Sequence, residues 1–100
     1  MQLMTREVRG QLPPLGATEK IEDPLARVKF FTPDSHWTWW ATEFDGDDLF
    51  FGAVQGDVFE IGYFSLSELE QVRGPLGLAV ERDLHFAATP LSNIRSKYDR

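Results

Sequence analysis

Residues 37–64 read WTWWATEF, DGDD, LFFGAV, QGD and VFEIGYF: three aromatic and β-branched runs parted by two short groups rich in Asp and Gly. Trp, Phe, Thr, Val and Ile suit a pleated, half-buried surface. Asp folds back on its own backbone and Gly46 accepts positive φ, so the intervening groups favour chain reversal. The pattern predicts a meander of antiparallel strands, and every other element must fit around it. Upstream, RVKFFTP adds a strand that Pro33 stops, because proline has no N–H for a ladder.

Helix signals flank the meander. In TREVRGQLPP, Thr5 is the expected N-cap, Glu7 sits in the first turn, Leu3, Val8 and Leu12 face inward, and Pro13 and Pro14 end the element. LGATEKIEDPLA has no period and reads as a loop. SLSELEQVRG carries two capping-box spacings, Ser65 with Glu68 and Ser67 with Glu70, with Arg73 near the negative end and Gly74-Pro75 as the stop. A strand is expected around DLHFAA. A last helix is expected in TPLSNIRSKYD, with Thr89 as cap and Pro90 at the first helical position. The order is α-β-β-β-β-α-β-α. This is an α+β domain whose antiparallel sheet has about five strands, four in the meander plus one. One hundred residues make a single domain, 1–100.

Face assignment depends on the turns, because side chains alternate along a strand. With Gln55-Gly56 as a two-residue turn, Gly52 lies opposite Phe59. One face then carries Phe50, Val54, Phe59, Ile61 and Tyr63, and the other Leu49, Phe51, Ala53, Val58, Glu60 and Phe64. With Gly46-Asp47 as a two-residue turn, Trp37 and Trp39 join the first face, and Trp40 and Phe44 the second. Both faces are then strongly apolar. The second must be closed by helix and loop, by a second copy of the chain, or by a foreign partner.

Charge is segregated along the chain. The net charge is −6, yet from Phe30 to Val72 there is no Lys or Arg, and all ten basic residues lie in the flanks. Such a field disfavours direct nucleic-acid binding and favours a basic partner. Cysteine is absent, so neither a disulfide framework nor a thiolate metal site is available. The charged opening MQLMTREVRG does not resemble a signal peptide, and no apolar run is long enough to span a membrane, so a cytoplasmic location is expected and no membrane partner.

Motifs for chemistry are weak. DGDD lacks the spaced oxygen ligands and closing Glu of a calcium loop. His36 and His85 form no pair at ligand spacing, so no metal site is assigned. Glu43 and Glu60 each interrupt an apolar strand, and a carboxylate against aromatics can serve as acid or base. The pairing above puts them on opposite faces, which argues against a paired-carboxylate site. Each is otherwise expected at an exposed edge or beside an Arg such as Arg82 or Arg27. No phosphate loop, nucleophile elbow or dinucleotide fingerprint is present, so neither a catalytic residue nor a cofactor is assigned.

In order, the blocks LPPL, VKFFTP, WTWWATEFDG, FFGAV, GYFSLSELEQVRGPLGLAVERDLHF and TPLS resemble the family catalogued as domain of unknown function 2958. The resemblance implies a genomic setting on bacterial plasmids, integrative elements and phages, near anti-restriction or conjugation genes. It supplies no catalytic residues. Together with the acidic middle, that setting leads to the expectation of a non-enzymatic binder acting on a host defence protein such as a CRISPR effector or restriction enzyme. Its acids, Glu43, Asp45, Asp47, Asp48, Asp57 and Glu60, would gather into one nucleic-acid-like patch for a basic groove, with Trp40, Phe44 and Phe51 as apolar anchors. The alternative is a homodimeric accessory of element maintenance or conjugation, joined through its second sheet face. A small-molecule enzyme using Glu43 or Glu60 is the third reading.

Overall fold

The structure is a computed structural model and describes residues 1–98. The chain runs α1 (Arg6–Arg9), β1 (Leu25–Ala26), β2 (Val28–Phe31), β3 (Thr38–Phe44), β4 (Leu49–Gln55), β5 (Phe59–Ser65), α2 (Leu66–Gln71), β6 (Glu81–Arg82), β7 (Thr89–Pro90) and α3 (Leu91–Ser96). The expected α+β architecture is present. The five-stranded sheet has the order β5-β4-β3-β2-β6, antiparallel throughout, and β1 and β7 form a separate two-stranded ribbon.

The first face of the sheet holds the main core. Val28, Phe30, Trp39, Ala41, Phe44, Phe50 and Phe64 project from it against Leu3, Met4 and Leu12 of the N-terminal segment, Leu66 and Leu69 of α2, and Val80. Rings make the centre of this layer: Phe44 stacks on Phe50 at 4.4 Å and Phe50 on Phe64 at 5.0 Å. Each such ring removes roughly 150–250 Å² from water, which lets a short chain hold together without a covalent staple. Thr5 caps α1 as expected, its hydroxyl accepting from the Val8 N–H. Ser65 caps α2 by accepting from the Glu68 N–H, and the Arg73 guanidinium donates to the Glu70 and Val72 carbonyls at the other end. Ser67 does not cap; it is bound by Asp48.

On the second face α3 and the β1–β7 ribbon lie over the middle of the sheet. Leu91 and Ile94 of α3 and Ala26 of β1 bury Trp40 and Ala53, with Phe59 and Phe86 packed alongside. Tyr98 stacks on Phe59 at 5.6 Å and meets Trp40 edge-on at 5.8 Å.

Several expectations need correction. The β4–β5 loop has three residues, Gly56 to Val58, so Gln55 pairs with Phe59 and Gly52 with Gly62. That is an odd shift from a two-residue turn, and an odd shift exchanges the faces of the whole strand. Phe64 therefore joins Phe50 on the first face, while Phe59, Ile61 and Tyr63 stand with Phe51 on the second. In β3 the register from Thr38 to Ala41 is the expected one, placing Trp39 on the first face and Trp40 on the second. A β-bulge at Thr42 then inverts the rest: Phe44 enters the main core and Glu43 faces the second side. The buried Thr42 hydroxyl donates to the Phe51 carbonyl and so satisfies a group the bulge displaces.

DLHFAA is not a strand. The ladder on β2 is used by Glu81 and Arg82, and the Asp83 side chain then accepts from the His85 N–H and turns the chain. Thr89 does not cap α3 either. It pairs with Ala26 in the ribbon and donates to the Ala87 carbonyl, so Pro90 takes the cap position. The cap comes from Asp23, whose carboxylate accepts from the Ser92 N–H at 3.0 Å and its hydroxyl at 2.6 Å.

Candidate functional site

The nine residues expected to form a partner surface do not assemble into one. Trp40 and Phe44 are buried on opposite faces, and Glu43 is buried with them. Asp45, Asp47 and Asp48 occupy the β3–β4 turn, whereas Asp57 is in the β4–β5 loop at the far end of β4. Glu60 lies opposite Val54, on the first face at the exposed rim of β5, and meets neither Arg82 nor Arg27. Phe51 alone of the three aromatics is half exposed.

Most of these carboxylates hold the chain in place. Asp45 Oδ1 accepts from the N–H groups of Asp47, Asp48 and Leu49, and these bonds keep its pKa below the usual carboxylate range. Gly46, at φ +89°, takes the left-handed position this turn requires, and its carbonyl accepts from Arg9 at 2.7 Å. The same guanidinium lies over the Phe44 ring, so a cation from the N-terminal flank closes on the acidic turn. Asp48 binds the Ser67 N–H and hydroxyl. Asp57 lies 3.5 Å from Nε2 of His36.

Glu43 is the most constrained. Its carboxylate accepts from the Gly16 N–H and the Thr18 N–H, each at 2.8 Å, and from the Thr18 hydroxyl. Burial by itself raises its pKa, but the Thr18 hydroxyl and the two amides together hold it below the ordinary value. It is thus an anchored anion that ties the loop after Pro14 to the sheet.

That loop and α3 leave one end of the second face open. The result is a groove of about 850 Å³ whose floor is Phe51, Ile61 and Tyr63. Phe51 and Tyr63 meet edge-on at 5.0 Å, and Tyr63 is 66% exposed and Ile61 41%. Glu19, Glu22 and Asp23 line the loop side, and Arg95 the α3 side. The Arg95 guanidinium lies 6.0 Å from the Phe59 ring centre. Asp23, bound to Ser92, has a lowered pKa for that reason, hydroxyl first and amide second. The rim therefore sets three carboxylates against one guanidinium, around an apolar floor.

The sequence carries no local sign of this groove. The two-residue turn expected at Gln55-Gly56 puts Ile61 and Tyr63 on the first face, and Glu19 and Glu22 lie in a stretch without a period. The turn residues around Gln55-Gly56-Asp57 fit a two- or three-residue loop equally, so nothing local could have corrected the assignment. Among the described residues no group of three or more His, Cys, Asp or Glu side chains is placed to hold a metal ion. No helix among them is long and apolar enough to cross a membrane.

A groove on an antiparallel sheet, roofed on one side by a short helix and on the other by a loop, defines a small α+β protein with an open site whose floor is apolar. Residues 3–98 match the family described as "Protein of unknown function (DUF2958)", and the chain belongs to it. No curated protein and no solved structure matches the chain.

Proposed function

We propose that this protein is a non-enzymatic binding module that holds a segment of another protein, basic and with apolar side chains, in the groove on its second sheet face. The observation that carries this reading is the open floor of Phe51, Ile61 and Tyr63 beneath the carboxylates of Glu19, Glu22 and Asp23. Large aromatic and aliphatic side chains left to water in one place, with charge around them, are what interface cores are made of. The excess of acid on the rim selects Lys or Arg and speeds encounter. Glu43, the carboxylate with the strongest initial claim to acid–base chemistry, has its oxygens taken by three donors, which supports binding over catalysis.

In the bacterial setting the family resemblance implies, the bound segment would belong to a host defence protein, and occupation of a basic segment would block it. The groove supports that role better than a nucleic-acid-like patch does, since the central acids are parted between two ends of the sheet.

Selection from a random peptide display library tests the reading. The expected enrichment is for peptides combining Lys or Arg with aromatic or aliphatic residues. Retention should be lost with the double variant Ile61→Ser, Tyr63→Ser. Enrichment of acidic peptides, or equal retention by the double variant, would reject it.

A further inference from the structure

β5 is an edge strand, and its outer side is open along most of its length. Which backbone groups face outward follows from the ladder. The Leu66 N–H donates to the Asp48 carbonyl at one end of the β4–β5 pair, and the Gly56 N–H to the Val58 carbonyl at the other. Hydrogen-bonded pairs alternate in an antiparallel ladder. With Gly52 opposite Gly62, the bonds to β4 are therefore made by Glu60, Gly62 and Phe64. The N–H and C=O of Ile61 and Tyr63 point away from the sheet, and among the described residues nothing binds them.

Edge strands usually carry a proline, a charged side chain, a bulge or a cover that discourages further pairing. β5, reading FEIGYFS, carries no proline or bulge, and its one charge, Glu60, repels acidic strands while admitting a basic one. Its side chains also form a pattern. Ile61 and Tyr63 stand on the second face at the groove floor, while Glu60 and Gly62 stand on the first, Glu60 exposed and Gly62 with open space where a side chain would be.

Resting on the proposed function, we infer that the partner segment binds as a sixth strand, antiparallel to β5, with alternating apolar and basic residues. Residues opposite Ile61 and Tyr63 fall on the second face and are apolar, extending the groove floor. The residue opposite Glu60 falls on the first face and is Lys or Arg, and Lys or Arg residues next to the paired stretch meet the carboxylates of Glu19 and Glu22 beside the groove. The residue opposite Gly62 fills the space that glycine leaves. Main-chain bonds to Ile61 and Tyr63 supply affinity, and the alternation supplies selection. A second copy of this chain fits less well, because it brings acidic side chains to an acidic rim in a molecule of net charge −6.

The test uses the full chain and a synthetic peptide alternating Val and Lys, long enough to match β5, followed by amide hydrogen exchange and fluorescence anisotropy. In the free protein the amides of Glu60, Gly62 and Phe64 exchange slowly and those of Ile61 and Tyr63 fast. Peptide binding should slow Ile61 and Tyr63. Tyr63→Pro removes the outward N–H, which an edge strand tolerates, together with the ring, and should weaken binding by at least about tenfold beyond Tyr63→Val, which loses the ring alone. Slow exchange at Gly62 in the proline variant checks that the hairpin is intact.

Peptide binding with unchanged exchange at Ile61 and Tyr63, or no weaker in Tyr63→Pro than in Tyr63→Val, overturns strand addition and leaves the groove reading standing. No binding of the peptide overturns both. Exchange at these two amides that slows with protein concentration alone assigns the edge to a second copy and overturns the inference.

Discussion

Glu43 shows how one residue can look functional and be structural. A carboxylate among aromatics invites an acid–base role, but here three donors from the Gly16–Thr18 loop hold it ionised. Glu43→Gln puts an amide against backbone N–H groups and leaves at least one donor unmatched, which costs about 2 kcal/mol near neutral pH. The pH dependence has a definite sign. A folded-state pKa below the unfolded value contributes stability that is complete above the unfolded pKa, about 4.3 for Glu, and is lost as pH falls through the folded value. Asp23 and Asp45 are lowered too, so the wild-type protein loses stability across that acidic window. The deficit of Glu43→Gln should therefore shrink as pH drops from about 6.5 to 3.5, read from urea midpoints. A deficit of constant size would mean that Glu43 acts through packing rather than charge.

At the scale of elements, the bulge in β3 decides the arrangement of the second face. It turns Phe44 into the core and Glu43 towards the loop, and it brings the Trp40 carbonyl so close to Gly52 that a side-chain carbon there would overlap it. Gly62, paired directly with Gly52, faces open space. Gly52→Ala should cost about 3 kcal/mol, since backbone rather than a flexible side chain must give way. Gly62→Ala should change stability by less than about 0.5 kcal/mol. Thermal unfolding of the two variants side by side checks this, and equal losses would refute the close approach at the bulge. The bulge also marks how far the sequence could be read. The meander, the caps at Thr5 and Ser65, and the α+β order follow from local chemistry: strand-forming runs, Asp-Gly turns and Ser-x-x-Glu spacing. The faces of β5 and the second half of β3 do not, because one loop residue and one bulge residue, neither with a local signature, each invert a strand. The groove was hidden by those inversions. Its acidic wall, from a loop held by Glu43 across 25 residues of sequence, is a tertiary fact.

The whole molecule is a slab, 40 × 37 × 22 Å, with the sheet between two thin covers. The acids of its two hairpin loops lie at opposite ends of β4. The turn holding Asp47 and the loop holding Asp57 are joined by the seven residues of β4, a span of roughly 20 Å at about 3.4 Å per residue. Screening at physiological salt acts within about 8 Å, so the two ends do not reinforce one another at a single ligand. Electrostatic selection then belongs to the carboxylates beside the groove. Replacing Asp47 and Asp57 together by Asn should leave the affinity for a basic, apolar peptide within about twofold at physiological salt. Glu19→Gln with Glu22→Gln should lower it about fivefold, with a larger loss at low salt where these exposed charges are less screened. Anisotropy titrations of the three proteins at two salt concentrations separate the cases. Were the pair at the sheet ends to matter more than the pair at the rim, recognition would lie at the hairpin tips, and the groove would be only a gap between the loop and α3.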